Sequence, residues 1–87
     1  MRESVLELRC VAVAKAAGWL AYNTVAVGVR GFPDRTFVRA GEVVMVEFKT
    51  TRGRLSASQE LRIAELRSEG MDVHVIDNFE DFERWVL

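Results

Sequence analysis

Residues 43–50, VVMVEFKT, constrain the fold more than any other stretch of the chain. The run is rich in β-branched and apolar residues and is bounded by Gly41 and by the polar segment TTRGR, so it reads as a strand. Successive side chains of a strand point to opposite faces. Val44, Val46 and Phe48 therefore share one face, while Val43, Met45, Glu47 and Lys49 share the other. A chain with this strand is built around a sheet, and one face of that sheet must accommodate a carboxylate and an ammonium. Either that face is open to water or the charges form a site.

The remaining pattern supplies partners for this strand. Leu6, Cys10, Val13 and Ala17 recur at spacings of four, three and four, which predicts a helix from about Glu3 to Ala17 that Gly18 ends. WLAYNTVAV is a strand candidate, and GVRGFPD is a loop by its glycines and proline. RTFVRA and EVVMVEFKT flank Ala40-Gly41 as an antiparallel hairpin. TRGRLS is a second loop, followed by a helix from about Ala57 to Glu69 with Gly70 as its stop. DVHVI is a short strand, and NFEDFERWVL a last helix opened by Asp77 or Asn78. The order α-β-β-β-α-β-α predicts an α/β fold, a mixed sheet flanked by helices. With no linker or repeat to divide the 87 residues, they read as one domain, 1–87. A domain of this size buries only about 60–65% of its unfolded surface, so oligomerisation is a natural supplement to its core.

Composition narrows the function classes. A chain 49% hydrophobic and 29% charged is neither disordered nor low-complexity. A single cysteine, Cys10, excludes an intrachain disulfide and a cysteine zinc cage, and its place in the apolar stripe predicts a core role. With His74 the one histidine, any metal here is a hard, oxygen-bound ion such as Mg²⁺. His74, between Val73 and Val75, is expected on the less buried face. The net charge of −1 carries no general nucleic-acid signature, so nucleic-acid binding requires local basic patches. The apolar stretch VAVAKAAGWLAY is interrupted by Lys15 and is too short to span a bilayer, and no signal-type segment is evident; the expectation is a cytoplasmic protein with no membrane partner.

The hairpin register sharpens the question about Glu47. A turn centred on Ala40-Gly41 pairs residues whose numbers sum to 81, which places Asp34 opposite Glu47. Like charges directly opposed are destabilising unless a cation lies between them. A shared divalent ion resolves that conflict, with Lys49 as a second nearby charge.

GFPDR, then VEFKT, then GRLSASQ resembles the VRR-NUC family of the PD-(D/E)xK nuclease superfamily. The resemblance extends to a leading helix with a glutamate and to a closing G-x-x-V-x-V strand, here GMDVHV, and so covers nearly the whole chain. A bare D…E-x-K pattern is common by chance; five elements in the family's order and spacing are not. The resemblance implies a restriction-endonuclease-like core and metal-dependent phosphodiester cleavage in DNA. It also implies kinship with small viral or bacterial nucleases similar to homodimeric junction resolvases of DNA repair, in a bacterial or phage-infected cell. Carried over by residue, it makes Asp34 and Glu47 ligands of Mg²⁺ or Mn²⁺, with the Phe48 carbonyl as a third oxygen. Lys49 would orient or deprotonate the attacking water, and Gln59 would hold the metal's water shell or the phosphate. Glu7 would reach in from the first helix, directly or through water, with Glu3 one turn earlier as its rival. Where the family often has a basic residue before the G-x-P-D loop this chain has Asn23, and Arg30 stands in. Arg30, Arg35, Arg39, Arg52 and Arg54 would ring the centre and take phosphates.

Blander readings compete for each residue. Asp34 follows a proline, where Asp is a common turn former. Glu47 and Lys49 could be a solvated strand face. Ser56-Ala-Ser-Gln59 and Ser4-Val-Leu-Glu7 both fit capping boxes. The expected activity is a structure-specific endonuclease acting on branched DNA such as four-way junctions, as a homodimer. Structure specificity is favoured because the chain has no spare domain to read base sequence, and the apolar VVM and the C-terminal WVL are the candidate dimer surfaces. The alternatives are a DNA-binding module that keeps the nuclease fold without cutting, and a structural subunit with no nucleic-acid role.

Overall fold

A computed structural model of the chain describes residues 2–50 and 52–87. The elements run α1 (Glu3–Ala16), β1 (Leu20–Asn23), β2 (Arg35–Arg39), β3 (Glu42–Phe48), α2 (Ala57–Ser68), β4 (Asp72–Ile76) and α3 (Phe79–Val86). The strands form one sheet in the order β1-β2-β3-β4, antiparallel except for the parallel pair β3–β4. The mixed sheet and the α-β-β-β-α-β-α order are those expected from the sequence, and both long helices end within one residue of the predicted stop.

Local chemistry accounts for the boundaries. Gly18 and Gly70 follow the first two helices at φ +92° and +88°. In each case the glycine N–H and the next residue's N–H bond back to carbonyls of the last turn, Gly18 to Lys15 and Trp19 to Ala14, Gly70 to Arg67 and Met71 to Leu66, all at 3.0 Å. The hairpin turns on Ala40 and Gly41, both at positive φ (50° and 83°). Every β2–β3 pair sums to 81, from Arg39↔Glu42 to Arg35↔Val46. Ala40 bears a conformation its Cβ disfavours, because a one-residue slip would turn Phe37, Val44 and Val46 out of the core. The first strand is shorter than WLAYNTVAV suggests. β2 begins only at Arg35, so after one further bond, Thr24 N–H to the Asp34 carbonyl (3.0 Å), residues 25–29 have no strand to pair with.

The two faces of the sheet differ. α1 and α3 cover the face of Phe37, Val44, Val46, Phe48 and Ile76, closing a core that includes Leu6, Cys10, Ala14, Trp19 and Phe82. Trp19 donates from Nε1 to the Val86 carbonyl (3.2 Å) and meets Trp85 edge-on at 5.3 Å, tying α1 to α3. Burial pushes the Cys10 thiol up to about 12, so it is an inert core residue. On the other face α2 packs against β4, where Ile63 and Val73 are buried. His74 departs from expectation: it is paired with Val46, hence on the α3 face, where it stacks on Trp85 at 5.2 Å and meets Asp72 Oδ1 at 2.9 Å. Its polar edge is satisfied by Asp72, which lets the ring serve as a flat lid on the core.

Candidate active site

Glu47 occupies the outward face of β3 yet is only 2% exposed. α2 is the cause. Ser56 caps α2 by accepting from the Gln59 N–H (3.2 Å), while Gln59 Oε1 accepts from the Ser56 N–H (2.8 Å). That reciprocal cap sets the polarity of the Gln59 amide: its oxygen is held at the backbone, so its Nε2 faces the sheet and donates to Glu47 Oε2 at 3.0 Å. Gln59 thus caps α2 and bonds Glu47 at once.

Asp34 enters from the G-x-P-D loop, whose Pro33 is fully buried and whose Gly31 sits at φ +81°. A Cβ on Gly31 would collide with the backbone of Ser58 and Gln59, so only glycine lets the loop lie on the first turn of α2. Asp34 Oδ2 accepts from the Phe48 N–H at 2.9 Å, which brings the Phe48 peptide against this carboxylate. Carboxylate oxygens of Glu3, Asp34 and Glu47 all lie within 4.8 Å of one another. Lys49 Nζ stands 3.6 Å from Glu47 Oε2, and Glu47 Oε1 is buried with no hydrogen-bond partner among the described residues.

The electrostatics follow. Burial pushes the Glu47 carboxyl up to about 7, helped by the Asp34 charge and opposed by Lys49. Asp34 is raised as well, first by burial and then by Glu7 and Glu3, against the pull of the Phe48 N–H. A buried carboxylate with an orphaned oxygen, facing two more carboxylates, is a poor arrangement for a bare protein and a suitable one for a hard cation. The donor set fits Mg²⁺ or Mn²⁺.

The structure therefore brings together Asp34, Glu47, Lys49 and Gln59, and it brings Glu3 rather than Glu7. Glu7 Oε2 is taken by Arg35 Nε at 2.6 Å, on the α1 side of the sheet. α1 begins at Glu3 with Arg2 as its cap residue and no side-chain cap bond, so Ser4 lies inside the helix and the predicted Ser4–Glu7 capping box does not form. Glu3, the first residue of the helix, reaches the carboxylates. Of the five arginines, Arg35 is committed to Glu7. Arg39 lies at the opposite end of β2 from Asp34, donating to the Ala17 carbonyl (2.9 Å) with its guanidinium over Trp19 at 4.4 Å. Arg30, Arg52 and Arg54 remain exposed in the two loops beside the site. No signal in the sequence ranked Glu3 above Glu7, since the choice depends on how α1 packs on the sheet and hands Glu7 to Arg35.

The family model for the VRR-NUC domain matches residues 3–79. A solved structure described as "VRR_NUC domain" superposes with a TM-score of 0.89 at 21% identity, covering 97% of this chain and 92% of that one, so the fold is shared. Among curated proteins none matches. With the match spanning α1 through the start of α3, and so every residue of the carboxylate site, the chain belongs to the VRR-NUC domain family, a nuclease-type domain.

Proposed function

We propose that residues 1–87 act as a metal-dependent endodeoxyribonuclease that hydrolyses phosphodiester bonds in branched DNA as a homodimer. The observation that carries this reading is the buried, half-orphaned carboxylate of Glu47 converging with Asp34 and Glu3. A Mg²⁺ or Mn²⁺ ion held by these three, with the Phe48 carbonyl, would supply charge neutralisation at the scissile phosphate and a more acidic water. The protein's own groups do the rest. Lys49, anchored beside Glu47, directs the attacking water and offsets the growing negative charge on phosphorus. Gln59 fixes the Glu47 carboxylate through Oε2 and leaves Oε1 free to act as a ligand. Arg30, Arg52 and Arg54 take phosphates on either side, which positions a backbone without reading bases.

A second copy is favoured by the outer sheet face. Leu20, Val38 and Val43 form one cross-strand row and Tyr22, Thr36 and Met45 the next, with no charge in either. Leu20, Tyr22 and Val43 are 56%, 55% and 42% exposed. Such a face suits a like surface better than a polyanion, and a twofold assembly would present two sites to a symmetric junction.

Cleavage of a labelled four-way junction, beside duplex and single strand, with Mg²⁺, Mn²⁺ or EDTA, tests the reading. Metal-dependent junction cutting that disappears in Glu47→Ala is expected. Tight DNA binding with no cutting in any metal would instead favour a non-cleaving module that retains the fold.

A further inference from the structure

Arg62 lies three residues beyond Gln59 on α2, outside every motif described above. Its Nε donates to the carbonyl of Arg30 at 3.0 Å, and its Nη1 is paired with Glu65 Oε2 at 2.6 Å. Arg30 immediately precedes Gly31, the residue pressed against the backbone of Ser58 and Gln59. These contacts join the two segments that build the carboxylate site from opposite sides: the loop that delivers Asp34, and the helix that delivers Gln59 to Glu47.

The join is needed because sheet packing does not provide it. α2 packs against β4, the strand at the sheet edge two places from β2, so the loop before β2 is positioned over α2 by its own contacts. Arg62 is also badly placed to serve DNA. Its guanidinium already faces Glu65, which offsets the charge a phosphate would use, and its Nε is taken by the Arg30 carbonyl.

We propose that Arg62 is a positioning residue: by tying the Arg30 carbonyl to α2 it sets the separation between Asp34 and the Gln59–Glu47 pair, and with it the site's hold on a divalent ion. The inference rests on the nuclease reading of that site.

Two variants of the full chain separate positioning from DNA contact. In Arg62→Gln the side-chain Nε2 stands the same number of bonds from the backbone as the arginine Nε, so it keeps a donor for the Arg30 carbonyl while losing the charge. Arg62→Met loses both. Three readouts apply: Mn²⁺ affinity by calorimetry, kcat and KM on a junction, and amide hydrogen exchange of residues 28–34 in chelator. Arg62→Met is expected to lower Mn²⁺ affinity and kcat by about tenfold, as loss of an outer-shell partner does, to leave KM unchanged, and to speed exchange in 28–34. Arg62→Gln is expected to stay near wild type in all three. Equal impairment of both variants through a raised KM would overturn the proposal in favour of a phosphate contact. Unchanged exchange in Arg62→Met would overturn it too. Should wild type neither bind Mn²⁺ nor cut, the nuclease reading falls, and the exchange arm still decides whether Arg62 holds the loop.

Discussion

Phe48 and Glu47 are neighbours on one strand and equally hidden, at 0% and 2% exposure, yet they are buried for opposite reasons. Phe48 faces α1 and α3, with the Phe82 ring at 6.2 Å, and every side-chain atom it buries is apolar. Glu47 faces α2, beside Asp34 and Glu3, with one carboxylate oxygen unpaired. Burial on the first face stabilises the fold. On the second it raises the energy of a charge that the bare protein does not fully satisfy, a cost that a bound ion would recover. On the nuclease reading, the two faces of β3 would divide folding from function, the second at the expense of stability.

Unfolding measurements on variants of each face distinguish the two kinds of burial. The largest effect is expected on the folding face: Phe48→Ala should destabilise by about 3–5 kcal/mol in denaturant unfolding, with or without metal. On the site face the effect is destabilising and depends on pH. Glu47 has its carboxyl raised from 4.5 to about 7, so the folded protein holds a proton that the unfolded chain has released. Stability in chelator should therefore fall as pH rises from about 4.5 to about 7, by on the order of 3 kcal/mol, and level off above. Asp34, also raised, adds in the same direction. Glu47→Gln should remove most of that slope and leave the protein more stable than wild type at pH 8 in chelator, while Mn²⁺ should restore only the wild type. If Glu47→Gln is destabilised at pH 8, the two faces are not different in kind.

A smaller effect separates the two glutamates of α1. Glu3→Gln should weaken Mn²⁺ binding by about tenfold. Glu7→Gln, whose charge acts on Asp34 only at a distance, should change Mn²⁺ affinity less than Glu3→Gln does and cost up to about 1 kcal/mol of stability through Arg35. Calorimetry and unfolding of both variants check this. The smallest effect on folding is expected from Val43→Ser on the outer face, within about 0.5 kcal/mol. In sedimentation the same substitution should weaken self-association, if the outer sheet face is where two copies meet.

Strand alternation and glycine punctuation made most of the fold legible. Periods of two and of about 3.6 identify strands and helices because they reflect which side chains share a face. Gly18 and Gly70 ended their helices where expected because few other residues accept φ near +90°. The length of β1 was not legible, because TVAV is good strand sequence and lacks only a partner. The register sum of 81 was legible and holds from Arg39↔Glu42 to Arg35↔Val46; Asp34, just before the paired stretch, meets β3 through the Phe48 N–H.

Local sequence alone determined which residues could form a carboxylate site, since hairpin pairing and strand alternation are short-range and leave few options. Only the tertiary structure decided which helix carboxylate joins it. Glu3 and Glu7 are one turn apart on the same helix, and what distinguishes them is the packing of α1 on the sheet, which gives Glu7 to Arg35 and leaves Glu3 at the open end. The same holds for the arginines. Arg30 and Arg39 are equivalent as letters in the chain, but one lies in a loop at the site and the other caps the end of α1, because long-range contacts assign a cation its counter-charge or carbonyl and no local pattern encodes them.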